Sequence, residues 1–427
     1  MSFLLLFLET LLAPLAALGV VLSFGLSRRR GLLAALAGEF PERFGGLSGP
    51  GRARLSGRRI WWLHAASAGE VSGLAPLIEA LAARPDAPAI LMTTTTAAGC
   101  AAARLNPRIA WAQLAPLDAW PCVARFLRQT RPERLILSET ELWPATLLLA
   151  ARAGLRPALI NARMTPRTLL RYRAAAFLLR PALDALTLVL AQSDLDAASF
   201  RAIGVPAEKI TVVGNTKYDR PAAGLDAAAA NAAIASLGWT ESLLLVAGST
   251  HPIEEDRVLD GFRRAAEAVP RLRLVMAPRH VERVEETFSS LRARGIPFAR
   301  LSALSGAPSG ASVLVLDAMG ALPSFWPRAA AAFVGGTFVP VGGHNIVEPA
   351  AAGVPVLFGP HTRHVQYPAG LLESGGGGFR VADAPAFAHA LVGLLTDPFR
   401  VRAAGDRARA AADKLRGATG RALEMLK

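Results

Sequence analysis

At 427 residues the chain is longer than one hydrophobic core organises, so two domains of roughly 200 residues each are expected. Its 47 Lys and Arg against 33 Asp and Glu leave a formal charge of +14, which favours polyanionic partners. The sequence has no zinc-finger spacing, no basic run interleaved with aromatics and no aromatic RNA-binding signature, so nucleic acid is not among the expected partners.

The two cysteines, Cys100 and Cys122, lack the close spacing of a metal or redox pair, which sets aside a disulfide framework and fits a reducing compartment. From Phe3 to Leu26 the sequence is almost wholly apolar, long enough for a membrane span or a deep interfacial anchor. A cleaved signal peptide would carry positive charge before such a run, whereas Arg28, Arg29 and Arg30 follow it. Residues 1–27 therefore read as a membrane anchor, with the rest of the chain held on the cytoplasmic side. Residues 28–59 read as a membrane-proximal connector with short helices.

Short apolar runs then alternate with helix-like segments, the pattern of buried parallel strands in repeated strand-helix-strand units. In the first half the predicted strands are Ile60 to Leu63, Ala89 to Thr93, Arg134 to Leu137, Ala158 to Asn161, Leu186 to Ala191 and Ile210 to Val213. The Ala-rich stretch Asp219 to Ala233 reads as an interdomain connection. A second series follows, with strands predicted at Leu243 to Ala247, Leu272 to Met276, Val313 to Leu316, Ala331 to Val334 and Val354 to Phe358, and helix from Asp397 onward. The expected fold class is α/β, with Rossmann-like domains at 28–218 and 219–427.

Nearly every unusual polar cluster falls just after a predicted strand, where parallel sheets present loops and helix N-termini to ligands. The first is His64-Ala65-Ala66-Ser67-Ala68-Gly69-Glu70, which places Glu70 to accept a proton or, equally, to complement a helix dipole. No GxGxxG fingerprint occurs there, which argues against a nicotinamide enzyme. Next comes Ser138-Glu139-Thr140-Glu141-Leu142-Trp143-Pro144, whose acids suit proton transfer, sugar hydroxyls or a helix cap. Arg163 and Lys217 add cations suited to a phosphate or simply to solvent.

In the second half, Gly248-Ser249-Thr250-His251 and Ala277-Pro278-Arg279-His280 read as a phosphate cradle. Their histidines read as structural imidazoles rather than metal ligands, since none has a partner at chelating spacing. The most specific cluster is Gly335-Gly336-Thr337 followed by Gly342 to Pro349. Its glycines allow close backbone approach, Asn345 can cap a phosphate-attracting helix, and Glu348 can bind ribose hydroxyls.

Taken together, from the apolar N-terminus to about residue 370, these segments resemble the 3-deoxy-D-manno-oct-2-ulosonic acid (Kdo) transferases of Gram-negative bacteria. The resemblance implies a GT-B architecture, two Rossmann-like domains facing across a cleft. It implies inverting transfer of Kdo from CMP-Kdo to a tetraacylated lipid A precursor at the inner membrane, with no metal or other cofactor. By motif, Glu70 matches the general base, and Glu139 and Lys217 match transition-state stabilising positions. Pro278, Arg279, Met319, Gly320, Ala321, Asn345, Ile346, Val347 and Glu348 match the CMP-contacting segments. Ala321 stands where the family usually has glutamate, leaving only backbone contacts there; Ile253 and Ala145 depart from pattern as well. Two alternatives remain open at this point: another GT-B nucleotide-sugar transferase or epimerase, or a non-catalytic, membrane-held glycolipid-binding protein.

Overall fold

Two seven-stranded sheets, every strand pairing parallel, organise the chain. The structure is a computed structural model and describes residues 39–219, 227–306 and 310–426. The first sheet comprises β1 (Ile60–Ala65), β2 (Ala89–Thr94), β3 (Ile109–Leu114), β4 (Arg134–Ser138), β5 (Arg156–Ala162), β6 (Leu188–Ala191) and β7 (Ile210–Val212). Their order is β3-β2-β1-β4-β5-β6-β7, so the winding direction reverses between β1 and β4.

The second sheet comprises β8 (Leu243–Thr250), β9 (Leu272–Pro278), β10 (Phe298–Arg300), β11 (Val313–Val315), β12 (Ala331–Val334), β13 (Val356–Phe358) and β14 (Gly378–Arg380). Here the order is β10-β11-β9-β8-β12-β13-β14, with the reversal between β8 and β12. Ligands of open parallel sheets bind beyond the strand C-termini at such reversals.

Helices cover both faces of each sheet, which is why the strands are apolar throughout rather than alternating with polar residues. Along β1, Ile60 and Trp62 enter one core cluster, while Trp61, Leu63 and Ala65 enter the cluster on the opposite face. Along β8, Leu245 and Ala247 face one side, Leu244 and Val246 the other. Each such fully buried large side chain contributes roughly 1.5–3 kcal/mol relative to exposure.

The chain divides into two units, Met1–Arg220 with Arg416–Lys427, and Pro221–Leu415. The last residues therefore belong with the first sheet, not with the 219–427 domain expected for them. Helix Ala418–Met425 carries Ala422, and with it the C-cap residue Leu426, into the core cluster that holds Leu74 and Leu77, and Arg421 donates to the Val213 carbonyl at 2.8 Å. Gly417 and Thr419 donate their N–H groups to the Asp219 carboxylate. The expected connection also ends early: Ala227–Ser236 is helical and buries Ala230, Ala233 and Ile234. Its alanines fit closely against a sheet, a role that composition alone does not separate from a linker.

Three strands lacked a sequence expectation, β3, β10 and β14, and all lie at sheet edges. The last two are three residues long and carry arginine, as edge strands often do to discourage further pairing.

The expected anchor, residues 1–27, lies outside the described residues. Among those described, no helix is long and apolar enough to cross a membrane. The first unit does present helix Pro166–Ala185, which starts at a Thr165 cap and buries only Ala182 and Leu183. Leu170, Phe177 and Leu178 on it are 68%, 73% and 50% exposed.

Candidate active site

At the end of β1 the chain turns through Ala66 into Ser67, whose hydroxyl caps helix Ala68–Ala82 by accepting the Glu70 N–H. Glu70 reaches back: one carboxylate oxygen accepts the Ala66 N–H at 2.9 Å and the other the Ser67 hydroxyl at 3.2 Å. This is a helix cap, but an uneasy one. Burial pushes the Glu70 carboxyl up to about 7, and the negative charges of Glu139 and Glu141 push the same way. A glutamate selected only to cap a helix gains nothing from two neighbouring acids; a proton acceptor working near neutral pH does.

Those two acids arrive from β4, the strand paired with β1 across the reversal. Glu139 has φ +56°, an unfavourable backbone for a non-glycine residue, and its side chain is fixed by Arg163 at 2.7 Å. Arg163 is thereby paired with Glu139 through its Nε. Glu141 accepts from the Trp143 indole at 2.6 Å and lies 3.4 Å from the buried His64 Nε2.

Neither acid caps the helix that follows. Asp118, from the loop after β3, accepts the N–H groups of Ala145 and Thr146 at 3.0 and 2.7 Å and the Thr146 hydroxyl at 2.7 Å. Burial raises the Asp118 carboxyl, and these three bonds oppose the rise.

Lys217 sits in a short turn, Thr216–Asp219, that docks on the helix bearing Glu70. Asn161, at φ +52°, accepts the Thr216 N–H at 2.9 Å, and the Thr216 hydroxyl donates to the Gly73 carbonyl at 2.7 Å. Gly73 lies one turn beyond Glu70, and a Cβ there would come 3.7 Å from that of Lys217. The lysine ammonium stands 4.8 Å from the centre of the Tyr218 ring.

In the second unit the reversal is organised by Glu254. The residue lies in the first turn of helix Pro252–Ala268 and is fully buried. One oxygen accepts the N–H groups of Gly336 and His251 at 2.6 and 2.9 Å, the other those of Phe338 and Thr337 at 3.2 and 3.3 Å. Burial pushes the carboxyl up to about 7 against the pull of these four donors. The glycine loop after β12 is thus shaped around a carboxylate. A Cβ on Gly335 would fall 2.2 Å from the Ser249 carbonyl oxygen, so only glycine permits this approach. Ser249 itself has φ +56°.

The remaining expected contacts line neighbouring strand ends. Pro278 closes β9, and the exposed Arg279 donates its N–H to the Thr250 carbonyl at 2.8 Å. Met319 is 77% exposed, Gly320 has φ +83°, and Ala321 packs partly against the core before helix Leu322–Phe325. Asn345 accepts the Val347 N–H at 3.1 Å and donates to the exposed Glu348 carboxylate at 3.0 Å. The helix it opens, Val347–Ala351, is only five residues long. Ile346 and Val347 are buried, so their side chains belong to the core and only their backbone can meet a ligand. Among the described residues, no group of three or more His, Cys, Asp or Glu could hold a metal ion.

Residues 38–220 match the family model described as 3-deoxy-D-manno-octulosonic-acid transferase (kdotransferase). The 3-deoxy-D-manno-octulosonic acid transferase of Bordetella pertussis is 34% identical over 400 residues, covering 90% of each chain. That of Haemophilus influenzae is 30% identical over 304 residues, 70% of each chain. The chain belongs to the Kdo transferase family. Among solved structures, the UDP-GlcNAc 2-epimerase from Neisseria meningitidis bound to UDP-GlcNAc shares 13% identity at a TM-score of 0.59, covering 86% of this chain and 99% of its own. Anabaena HepE in complex with UDP and glucose shares 15% at 0.55, covering 86% and 99%. Both show the fold: parallel-sheet α/β domains of the kind found in GT-B glycosyltransferases.

For a Kdo transferase, two residues that shape the site had escaped the sequence reading. Glu254 carried a legible signal, since a glutamate three residues after a strand-end residue repeats the Ser67 and Glu70 spacing. Asp118 carried none, because its helix lies 27 residues away in sequence.

Proposed function

We propose that the protein transfers Kdo from CMP-Kdo to a tetraacylated lipid A precursor, inverting the anomeric centre. The observation that carries this reading is Glu70, held at the β1 end beside Glu139 and Glu141 with its carboxyl pushed up to about 7, in a chain of the Kdo transferase family. Glu70 takes the proton of the attacking acceptor hydroxyl as that oxygen bonds to C2 of Kdo. The C2–O bond to CMP breaks with its electron pair leaving on the phosphate.

Lys217 offsets the negative charge gathering on the departing phosphate, and Glu139 the positive character of the sugar. Pro278, Arg279, the Met319–Gly320–Ala321 backbone, and the stretch Asn345, Ile346, Val347 and Glu348 hold the CMP moiety. Arginine and backbone N–H groups meet a phosphate without a metal.

The lipid acceptor and the membrane belong to the same proposal. Support comes from the exposed Leu170, Phe177 and Leu178, interleaved with the exposed Arg167, Arg171 and Arg173, an apolar and cationic surface suited to acyl chains and anionic headgroups. With the apolar N-terminus as anchor, the protein acts on the cytoplasmic face of the inner membrane. Incubating purified protein with CMP-Kdo and the tetraacyl precursor is expected to yield lipid heavier by whole Kdo residues in the mass spectrum. Absence of product under conditions where CMP-Kdo binds would refute the reading.

A further inference from the structure

Five of the seven histidines gather at one edge of the second sheet: His251 after β8, His280 after β9, His344 in the loop after β12, and His361 and His364 after β13. Two of them touch. The Nε2 atoms of His251 and His344 lie 2.8 Å apart, with the ring planes within 10° and the centroids separated by 5.1 Å. That separation is the bond plus the two ring radii, so the rings meet edge to edge in nearly one plane and do not stack face to face.

Such a contact admits one proton between the two nitrogens. Two would collide, and none would leave facing lone pairs. The remaining proton of a neutral pair sits on the Nδ1 of the accepting ring. The fit is built into the loop, since a Cβ on Gly336, at φ +71°, would come 3.0 Å from the His344 ring.

We propose that His251 and His344 form a proton-linked anion site, neutral in the free protein, which takes up one proton when the phosphodiester of a nucleotide settles beside Arg279. This rests on the nucleotide reading of the second unit given above. The surroundings explain both states. Arg279, His280 and Arg283 face the pair from the segment after β9, and His364 from the loop after β13. Glu254 faces it from the helix after β8 but is engaged by four backbone N–H groups. His280 lies 3.3 Å from the Glu282 carboxylate.

Burial and this positive surround hold His251 below the usual histidine range and His344 down to about 4. A bound phosphodiester removes the penalty, because its charge opposes the arginine and a cationic histidine donates to its oxygens. The proton is taken up at the unprotonated Nδ1 of the donor ring, and the Nε2 bond survives.

The test is calorimetry of full-length protein in detergent with cytidine 5′-methyl phosphate, a diester whose phosphate does not titrate near neutrality. Heats compared in buffers of different ionisation enthalpy give the protons exchanged. Uptake of up to about one proton per diester is expected near pH 6, with affinity weakening by up to about tenfold per pH unit as pH rises. His251→Gln and His344→Gln should each abolish the uptake, and His389→Gln, outside the cluster, should retain it.

Diester binding without proton uptake overturns the proposal while leaving the nucleotide site standing. Failure of both CMP and the diester to bind overturns the nucleotide reading and this inference with it. Uptake that persists in both glutamine variants places the proton elsewhere and overturns the assignment. Should those variants misfold, NMR titration of ring carbons in the wild-type chain decides: two coupled histidines must shift toward the cationic form on diester binding, and their silence overturns the proposal.

Discussion

Glu139 raises the proton affinity of Glu70 from the neighbouring strand end, second only to burial in doing so, while its own carboxylate is held by Arg163 at 2.7 Å. The two acids and the arginine therefore form a relay of charge in which Arg163 moderates what Glu139 does to Glu70. Removing the charge in Glu139→Gln is expected to lower the Glu70 pKa and shift the acid limb of the kcat/KM profile to lower pH. Arg163→Gln should shift it the other way. pH–rate profiles of the two variants check this, and an unmoved limb in both would mean the base does not feel the pair.

Glu70→Gln should exchange function for stability. Loss of the base is expected to lower kcat by about 10²–10⁴-fold. CMP binding should remain, since every segment proposed to hold CMP belongs to the Pro221–Leu415 unit. The folded pKa of about 7 lies above the ordinary 4.5, so the stability contribution of this carboxyl is fully present below about pH 4.5 and is lost as pH rises through 7. Glutamine does not ionise and keeps the neutral form throughout. The variant should melt with wild type near pH 4.5 and above it at pH 8, by on the order of 1–2 kcal/mol once partial exposure is discounted. Thermal melts at the two pH values measure the difference.

The layout of both sheets was legible because parallel strands buried on both faces leave continuous apolar runs, as in Leu135, Ile136 and Leu137. Edge strands such as Gly378–Arg380 leave no such run, and a helix of alanines such as Ala227–Ser236 looks like a linker until a core surrounds it. The candidate site was legible wherever its residues sit beside their own strand ends: Glu70, Glu139 and Arg279. It was not legible where a residue acts across the sequence. Asp118 gives its carboxylate to a distant helix, and the pairing of His251 with His344 spans 93 positions. The burial of Ile346 and Val347 could not be read from a motif either, because their apolar character suits a core and a base-binding surface alike.

Asp118 replaces a local cap on helix Pro144–Arg152, since the side chain of the preceding residue, Trp143, accepts no N–H of that helix. Asp118→Ala should cost about 1–2 kcal/mol in denaturant melts, because two backbone N–H groups and the Thr146 hydroxyl lose their acceptor. The helix start is continuous with the loop holding Glu139 and Glu141, so transfer should fall further than folding does. Asp118→Asn, which keeps one acceptor oxygen, is expected to recover part of both. A melt unchanged from wild type would show that water serves the helix start equally well.

Glu254 gives the sharpest test of how the glycine loop is held. Its two oxygens serve four backbone donors, paired as His251 with Gly336 and Thr337 with Phe338. In Glu254→Gln the amide can place its one oxygen toward only one of these pairs. The shorter bonds to His251 and Gly336 should win, turning the amide NH2 against the N–H groups of Thr337 and Phe338. Two buried donors without an acceptor cost about 2–5 kcal/mol together, so the unfolding midpoint should drop clearly. The same change loosens the loop leading to Asn345 and Glu348, and CMP affinity should fall even at temperatures where the variant is fully folded. Calorimetric titration with CMP well below the melting transition separates the effects. A lowered midpoint with unchanged CMP affinity would confine Glu254 to stability and leave the donor segment shaped by Asn345 and its own backbone.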